Sequence, residues 1–357
     1  MMKILYLTNI HNPYRDEFFE QLGSKCDLTV LFEEHGDSTR DASWFEGVCA
    51  KNYSEVFLPD GDNPIVSRSM PDQIAQGWPL VLVGCYNSLR QMTAIEYMKR
   101  RKIPYVINSD GLVFNNGNAV KRAIRRHVLV GADSYLIAGE TCVPSLARLA
   151  GPASKIVSYP LTSLTSRRVN ELAAYSCKRD PQTVLVVGQF ADYKGLDVAL
   201  GAAKELDQRL RFRFVGTGGK TEEFMSLVER SGLDNIEVIP FLNQDLLIKE
   251  YQTAGLFVLP SRQECWGLVV NEAAACGCPI VSTWGSGAAV EFVSHIYPKL
   301  LAEPDSCESL ASAICAFFRL PDSEKNDYSL FLKEKSAQYT IEAMVEAHLD
   351  LFAEIAS

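Results

Sequence analysis

The sequence predicts an α/β protein made of two facing Rossmann-like β/α/β domains, and three observations support this. Short apolar runs alternate with amphipathic stretches of helical length along the chain. The alternation is interrupted by a polar stretch at residues 166–182 and then starts again. A chain of 357 residues is long enough for two domains that each bury a core. Parallel strands joined by crossover helices produce such a pattern.

Residues 1–165 are predicted to form the first domain. Its apolar runs are rich in Val, Ile, Leu and Tyr and are bounded by Pro, Gly or Asn, which is typical of buried parallel strands. The predicted strands are Ile4–Thr8, Leu28–Phe32, Val56–Leu58, Leu80–Gly84, Tyr105–Asn108, Ser134–Ala138 and Ile156–Tyr159. The predicted helices are Tyr14–Leu22, Ser88–Arg101, Val120–Val130 and Thr141–Leu149.

Residues 183–338 are predicted to form the second domain, after a linker at 166–182. The predicted strands are Thr183–Val187, Phe212–Val215, Ile236–Ile239, Leu256–Leu259 and Pro279–Ser282. The predicted helices are Leu196–Leu206, Glu222–Arg230, Leu246–Gln252 and Gly267–Ala275. Residues 339–357 carry apolar side chains at nearly helical spacing and predict an amphipathic helix. This helix either flanks the second domain or crosses back to the first.

Composition excludes several classes of protein. The net charge is −9, and residues 1–165 are balanced at 17 basic and 17 acidic residues, so general nucleic-acid binding is not expected. No apolar run reaches the length of a membrane-spanning helix, and the N-terminal run is too short for a signal peptide. The ten cysteines are scattered, and Cys276 and Cys278 lack zinc-site spacing. We therefore expect a cytoplasmic protein without disulfides or a metal.

The loop after the fourth strand of the second domain is the strongest candidate for a functional site. Ligands of open α/β sheets bind beyond the carboxyl ends of the strands. Glu264 lies in this loop, Gly267 opens a helix whose first amides can receive a phosphate, and Glu272 follows within an apolar stretch of that helix. Two such carboxylates suit hydrogen bonding to sugar hydroxyls. In the alternative interpretation, Glu264 only complements the helix N-terminus and Glu272 is a solvated helix residue.

The segment Pro260–Pro279 closely resembles the E-x₇-E region of retaining GT-B glycosyltransferases, in particular those of glycosyltransferase family 4 and a bacterial surface-polysaccharide subgroup. Three further segments resemble motifs of that family in the same order: Val187–Gly195, Phe214–Gly218 and Ile236–Leu242. One position departs from the family, because Gln189 stands where an arginine usually binds phosphate. The resemblance implies a GT-B fold and metal-independent transfer from a nucleotide-diphosphate sugar.

The resemblance also implies roles for individual residues. Glu264 would bind the donor sugar, Glu272 the ribose hydroxyls, and Lys194 the diphosphate, together with the amides near Gly267 and Leu268. Because Gln189 lacks a charge, Arg262, Lys220 or Arg15 would complete the diphosphate site. The residues expected to act in catalysis are Glu264, Asp110 and Lys194. Those expected to bind the donor are Glu272, Gly188, Gln189, Gly216, Phe241, Leu242, Arg262, Trp266, Gly267 and Leu268.

The first domain resembles the family less and is expected to bind the acceptor. Asp110 follows the strand that ends at Asn108, and it would contact the donor sugar or orient the acceptor hydroxyl; alternatively, it forms an Asx turn before Gly111. His11, Tyr14 and Arg15 follow the first strand and are the expected acceptor-binding residues. Arg15 would reach a phosphate or form a salt bridge at the start of a helix.

Two short motifs are interpreted as non-functional, and a dinucleotide-binding motif is missing. Gly216–Thr221 resembles a P-loop, but Phe214 occupies the position where a P-loop has its first glycine. The first strand of neither domain leads into a dinucleotide-binding glycine motif. Asp60-Gly61-Asp62 matches the D-x-D triplet of metal-dependent GT-A glycosyltransferases, but Pro59-Asp60-Gly61 is typical of a turn. We favour the turn.

Basic residues cluster at positions 99–102 and 121–126. On a helix, Lys121, Arg122, Arg125 and Arg126 share one side, and basic amphipathic helices dock on anionic membranes. A solvated helix face is an equal alternative. Many relatives in the family use lipid-linked acceptors, so a peripheral position on the inner face of the cell membrane is expected.

The sequence therefore predicts a glycosyltransferase that uses a UDP- or GDP-sugar, needs no cofactor, and elongates a saccharide in cell-surface polysaccharide synthesis, such as lipopolysaccharide or capsule. The alternative is a catalytically inactive nucleotide-sugar-binding subunit that supports a partner transferase. Donor turnover that is abolished by Glu264→Ala would distinguish the two. The base, the sugar, the acceptor and the oligomeric state stay open.

Overall fold

The computed structural model describes residues 2–35, 52–59, 68–111, 119–151, 155–175 and 178–356. The chain folds into two units. The first unit comprises Met1–Leu161 together with Ile341–Ser357, and the second comprises Thr162–Thr340. The cysteines among the described residues are free thiols.

The first unit is a parallel sheet covered by helices. Its described strands are β1 (Lys3–Thr8), β2 (Asp27–Phe32), β3 (Ser54–Phe57), β4 (Leu80–Val83), β5 (Tyr105–Ser109), β6 (Ser134–Ala138) and β7 (Ile156–Tyr159). They are arranged in the order β3-β2-β1-β4-β5-β6-β7. Its helices are α1 (Pro13–Gly23), α2 (Ser69–Ile74), α3 (Leu89–Arg101), α4 (Ala119–Leu129) and α5 (Val143–Ala150).

Local sequence explains these elements. Every residue of β4 is buried, as expected for a parallel strand covered on both faces. The Ser88 hydroxyl caps α3 by accepting from the Gln91 N–H at 3.0 Å. Ala94, Ile95 and Met98 then form the buried face of this helix.

The second unit is also a parallel sheet with helices. Its described strands are β8 (Asp180–Val187), β9 (Arg211–Val215), β10 (Ile236–Ile239), β11 (Ala254–Leu259), β12 (Ile280–Thr283) and β13 (Leu301–Ala302), in the order β10-β9-β8-β11-β12-β13. Its helices are α6 (Ser166–Ala174), α7 (Leu196–Lys204), α8 (Thr221–Ser231), α9 (Gln244–Thr253), α10 (Leu268–Ala275), α11 (Gly287–Val293), α12 (Cys307–Phe318) and α13 (Asp322–Ser336).

The last helix, α14 (Ile341–Ala356), belongs to the first unit. It packs against α1 and β7, and its residues Met344, Val345, Leu351 and Phe352 are buried. Of the two positions that the sequence left open for this helix, the structure has the return to the first unit.

The predicted linker at residues 166–182 differs from the structure. The Thr165 hydroxyl accepts from the Arg168 N–H at 3.2 Å and caps α6, which buries Val169 and Leu172. The end of this stretch already belongs to β8. The chain passes between the units at Leu161 and Thr162 instead.

Within the described ranges, no helix is both long and apolar enough to cross a membrane.

Candidate functional site

Two loops meet at the carboxyl edge of the second sheet. The loops follow β8 and β11, which are neighbours in the sheet. After β8 the next strands are added on one side of this pair, and after β11 they are added on the other side. The two loops therefore lie at the topological switch point of the sheet. The Arg262 N–H joins the loops by donating to the Tyr193 carbonyl at 2.9 Å. Gly195 permits this approach, because its φ is +66° and a Cβ there would lie 2.2 Å from the Pro260 carbonyl oxygen. A side chain at position 195 would force the loops apart.

Lys194 and Glu264 face each other across these loops. The Lys194 ammonium contacts the Glu264 carboxylate, and the two side chains are 13% and 17% exposed. The Glu264 N–H donates to the Gly285 carbonyl at 2.8 Å, which fixes the carboxylate-bearing loop. The Lys194 nitrogen also lies 5.3 Å from the centre of the Tyr193 ring. One positive and one negative group are therefore held together at the switch point.

The predicted donor-binding residues after β8 and β9 lie beside this pair. The φ of Gly216 is +147°, and a Cβ there would lie 2.1 Å from the carbonyl oxygen of Gly188. The Tyr193 hydroxyl donates to Gln189 Oε1 at 3.2 Å. The backbone at Gly216 is thus packed too closely for any other residue, whereas a Cβ at Gly188 would make an ordinary contact with the Lys194 side chain, 3.4 Å from its Cδ atom.

Glu272 is a buried carboxylate within α10. Ser163 Oγ lies 3.3 Å and Gln244 Nε2 lies 3.4 Å from its Oε1 atom, and both are neutral donors at long distance. Burial raises the pKa of Glu272 to about 7, and hydrogen bonds from Gln244, Ser163 and Tyr251 offset only part of that effect. Burial and the adjacent Glu272 carboxylate also raise the pKa of Tyr251. The weakly bonded carboxylate retains capacity to accept hydrogen bonds from a ligand.

The remaining predicted donor-binding backbone lies at the same carboxyl edge. Gly267 immediately precedes α10 and Leu268 is the first residue of that helix, so their amides belong to its N-terminus. Phe241 and Leu242 follow β10, and Phe241 is exposed.

Arg262 differs from its predicted role as a phosphate ligand. Its guanidinium forms two hydrogen bonds to the Asp197 carboxylate, at 2.9 and 2.6 Å. It also donates to Asp305 and to the Asp192 carbonyl, both at 2.6 Å. These carboxylates raise the pKa of Arg262 above its ordinary value, Asp197 having the largest effect. Lys220 is likewise paired with Asp192 at 2.6 Å. Both cations brace loops here.

Trp266 also differs from its predicted contact with the donor. Its side chain is buried, its indole N–H donates to Asn271 Oδ1 at 2.9 Å, and its ring stacks on Tyr339 with 6.0 Å between ring centres. Trp266 therefore anchors the start of α10 and does not present its ring to a ligand.

Asp110 is held by a polar network at the carboxyl edge of the first sheet. Arg15 donates to Asp110 Oδ2 at 2.6 Å, and the Tyr14 hydroxyl donates to the same oxygen at 3.1 Å. The Tyr159 hydroxyl lies 3.0 Å from Asp110 Oδ1. Arg15 further donates to the Tyr6 hydroxyl at 2.8 Å. The carboxylate is thus oriented from both sides while about a quarter of its side chain stays exposed, at 27%.

The network continues into the C-terminal helix. His348 of α14 is fully buried, with its Nδ1 atom 2.7 Å from the Met344 carbonyl oxygen, which requires the proton to be on Nδ1. Its Nε2 atom then accepts from Asn108 Nδ2 at 2.6 Å. Burial lowers the pKa of His348 to about 4. The neutral ring therefore connects α14 to β5, the strand that Asp110 follows.

All three predicted acceptor ligands have partners inside this unit. Arg15 is only 6% exposed, and its guanidinium donates to Asp110, Tyr6 and Tyr14. His11 stacks on Phe32 at 3.9 Å and lies 3.0 Å from Asp16. Burial lowers the pKa of His11, but Asp16 and Glu55 together outweigh burial, and the pKa is raised. The Tyr14 hydroxyl faces Asp110.

The predicted membrane-contact residues lie on α4. Lys121, Arg122 and Arg126 are exposed, and Arg125 is half-buried. Val120 and Ile124, one helical turn apart, are 64% and 49% exposed. Asp60-Gly61-Asp62 lies outside the described residues.

Several residues of these sites were not predicted. Ser163 and Gln244 contact Glu272, and Asp197 and Asp305 hold Arg262, across separations of 28 to 109 residues. Tyr159 and His348 support Asp110 from the last strand and the last helix. Two local signals could have indicated them: Tyr159 lies at the end of a strand, and His348 lies within an apolar helix face. Neither signal predicts which residue the side chain contacts.

Residues 170–329 match the family model of glycosyl transferases group 1. An uncharacterized glycosyltransferase of Haemophilus influenzae is 26% identical over 238 residues, which cover 64% of this chain and 64% of that protein. The alignments with three curated relatives span between 27% and 64% of those proteins' lengths.

Solved structures are similar to this chain over nearly its whole length. The crystal structure of Anabaena Alr3699/HepE in complex with UDP and glucose has a TM-score of 0.74 at 14% identity, covering 99% of this chain and all of that one. WaaG, a glycosyltransferase involved in lipopolysaccharide biosynthesis, has a TM-score of 0.67 at 14% identity, covering 98% and 99%.

The two parallel sheets with alternating helices and these neighbours define an α/β two-domain Rossmann-like fold of the GT-B class, which confirms the predicted fold class. Within it, residues 170–329 are the part of the chain that is similar to the glycosyl transferases group 1 family.

Proposed function

We propose that this chain is a retaining, metal-independent glycosyltransferase that moves a sugar from a nucleotide-diphosphate sugar to a saccharide acceptor. The observation that carries the proposal is the contact between Lys194 and Glu264 at the switch point of the second sheet, next to the N-terminus of α10. This site lies within the glycosyltransferase group 1 domain. The named transferase relatives and the nucleotide-sugar complexes of the structural neighbour support the same class of reaction.

The charges at this edge suit departure of a nucleoside diphosphate. As the bond from the sugar to the diphosphate breaks, the leaving group gains negative charge. The Lys194 ammonium and the α10 N-terminus at Gly267 and Leu268 stabilise that charge without a metal. Glu264 accepts hydrogen bonds from the sugar hydroxyls, and Glu272 from the ribose. The base is uracil or guanine, and the bound UDP of the Anabaena neighbour supports uracil.

Retention of configuration follows if the acceptor attacks on the face that the diphosphate leaves. The acceptor oxygen forms the new bond to the anomeric carbon, and its proton passes to the departing phosphate oxygen. No strong protein base is then needed. Asp110 orients the acceptor hydroxyl, and the network of Tyr14, Arg15 and Tyr159 fixes its carboxylate.

Donor turnover tests this proposal. Purified protein is incubated with UDP- and GDP-sugars and a saccharide acceptor, nucleoside diphosphate release is measured, and NMR identifies the anomeric configuration of the product. We expect Glu264→Gln to lower kcat at least 100-fold. Glu237→Gln, a surface glutamate paired with Arg213 in the same unit, is the matched control and should retain activity. EDTA should leave the rate unchanged.

Other outcomes would redirect the proposal. Nucleotide-sugar binding without turnover over the whole donor panel would favour the non-catalytic subunit. An inverted product would contradict retention, and inactivation by EDTA that added Mg²⁺ or Mn²⁺ reverses would contradict metal independence.

We also propose that the acceptor is lipid-linked, that the reaction serves cell-surface polysaccharide synthesis, and that α4 docks the protein on the inner face of the membrane. The basic residues of α4 attract anionic lipid at about 1 kcal/mol each, while Val120 and Ile124 offer an apolar edge to insert. We expect binding to phosphatidylglycerol vesicles but not to phosphatidylcholine vesicles. Arg122→Gln with Arg126→Gln should abolish it, whereas Arg148→Gln with Arg167→Gln, at exposed positions elsewhere, should not. Equal binding of both double variants would contradict this role of α4.

A further inference from the structure

A cavity of about 330 Å³ opens at the carboxyl edge of the first sheet. It is lined by Asn9, Ile10, Glu33, Glu34, Cys85, Asn87 and Ser88. These residues follow β1, β2 and β4, which are adjacent in the sheet. The chain moves outward in opposite directions from β1 and β4, so the cavity occupies the switch point, where doubly wound sheets bind ligands.

The lining is rich in hydrogen-bond acceptors. It provides two carboxylates, two amides and one hydroxyl, and among the described residues no lysine or arginine lines the cavity. Glu33 is only 7% exposed, and its Oε1 atom accepts from the Ser88 hydroxyl at 2.6 Å and from Gln91 Nε2 at 2.8 Å. Arg90 lies nearby but donates to the Glu33 backbone carbonyl, at 2.7 Å. The buried Glu33 carboxylate is therefore bonded by neutral side chains.

Burial is the main cause that raises the pKa of Glu33. The hydrogen bonds from Ser88 and Gln91 therefore offset only part of the cost of burying this carboxylate. The cavity also lies near the network around Asp110. Burial is the main cause that raises the pKa of the Cys85 thiol in the cavity wall to about 11; the charges of Glu33 and Asp110 also raise this pKa, whereas the charge of Arg15 lowers it. A ligand in the cavity would thus lie within electrostatic reach of Asp110.

We propose that this cavity binds a sugar ring that carries no acidic group, either a neutral sugar or an amino sugar. Hydroxyl and ammonium groups donate to carboxylates and amide oxygens, whereas a uronate or phosphate would meet Glu33 and Glu34 with no cation in the lining. Identifying this ring as the acceptor rests on the proposed transferase function; the selectivity of the cavity rests on its own lining.

Sugar binding to the full-length chain tests the inference. Ligand-observed NMR titrations with glucosamine, glucose and glucuronate are made in the presence of saturating UDP, which occupies the proposed donor site. We expect saturable binding in the order glucosamine, glucose, glucuronate, with glucuronate at least tenfold weaker than glucose. Glu34→Gln and Glu33→Gln should reduce the preference for glucosamine over glucuronate at least threefold. Glu140→Gln, an exposed glutamate elsewhere in this unit, is the matched control.

Clear outcomes would overturn the inference. These are glucuronate binding as tightly as glucose, no saturable binding by any of the three sugars, or an unchanged preference in both folded glutamine variants. Thermal unfolding establishes that Glu33→Gln is folded, and the exposed Glu34→Gln provides a second test. UDP binding is measured separately. If UDP does not bind but the three sugars bind in the expected order, the proposed donor is contradicted and the inference about the cavity stands. If UDP binds but the protein does not discriminate among the sugars, the inference about the cavity is contradicted and the proposed donor stands.

Discussion

Asp110 in the first unit and Glu272 in the second are both carboxylates set among buried side chains, but their surroundings differ. Asp110 accepts from the buried Arg15 guanidinium and lies against two tyrosine hydroxyls. Glu272 has only neutral partners, namely long hydrogen bonds from Ser163 and Gln244 and the Tyr251 hydroxyl, and no cation offsets the effect of burial on its pKa. A carboxylate whose hydrogen bonds come from the protein is already oriented before a ligand binds. A carboxylate with few hydrogen bonds from the protein can form further ones with a ligand.

Removing the cation from the first site should have the largest effect. Arg15→Met leaves Asp110 without its charge partner and the hydroxyls of Tyr6 and Tyr14 without a donor, so we expect unfolding free energy to fall by about 3–5 kcal/mol. Chemical denaturation measures this. Arg148→Met, at an exposed position of the same unit, should change stability by less than about 0.5 kcal/mol. Equal effects of the two variants would refute the distinction between a satisfied and a ligand-dependent carboxylate.

Removing the charge from the second site should instead stabilise the ligand-free protein. The pKa of Glu272 is near 7 in the fold and near its ordinary value when unfolded, so the folded state binds the proton more tightly and wild-type stability falls as pH rises from about 4.5 to 7. Glu272→Gln avoids this loss, and we expect it to be more stable by about 3 kcal/mol at pH 8. The gain should shrink as the pH approaches 4.5.

Denaturation at pH 5 and pH 8 measures this difference, and UDP binding provides the complementary reading. Because the ionised carboxylate accepts ribose hydroxyls, the stabilised variant should bind UDP more weakly. A variant that is less stable at pH 8 would show that the protein satisfies Glu272 after all.

The support of α10 gives an intermediate effect. Trp266→Phe removes the buried hydrogen bond from the indole N–H to Asn271 Oδ1 and part of the ring that stacks on Tyr339, which should destabilise the protein by about 2 kcal/mol. Trp284, which is 44% exposed, supplies the control: Trp284→Phe should change unfolding free energy by less than about 0.5 kcal/mol. Similar midpoints for the two variants would mean that the indole contact does not anchor the helix.

The smallest effect is expected at the rim of the second site. Tyr193→Phe removes a partly solvated hydrogen bond to Gln189 and leaves Lys194 and Glu264 in contact, so stability should change by about 0.5 kcal/mol or less. Calorimetric titration should show UDP affinity within threefold of the wild type. A tenfold loss would assign Tyr193 a direct part in donor binding.

The sequence predicted the strands and the switch-point loops well because their signals are local. Apolar runs such as Leu80–Val83 and the Glu264–Glu272 spacing can be interpreted without knowing the rest of the fold. The cap and apolar pair of α6 were also local, with Thr165 before Val169 and Leu172, but the polar composition around them obscured the helix.

Side-chain roles that depend on distant partners could not be predicted. Arg15 pairs with Asp110, 95 residues away in the sequence, and Arg262 pairs with Asp197, 65 residues away. The sequence does not show these ion pairs, so both guanidinium groups were predicted to be available to bind phosphate. The buried state of Trp266 likewise depends on Tyr339. A charged residue in a sequence indicates which ligands it could bind, but not which ion-pair partner it has in the folded protein.

The membership of α14 in the first unit has a consequence for how the chain is made. Synthesis of Thr162–Thr340 separates Leu161 from Ile341, which takes on the order of 10–40 s at ~5–20 residues per second. During that interval α1 and β7 lack the helix that covers them, and Asn108 lacks His348. The second unit, whose segment is continuous, can therefore finish folding on the ribosome before the first, reversing the usual N-to-C order.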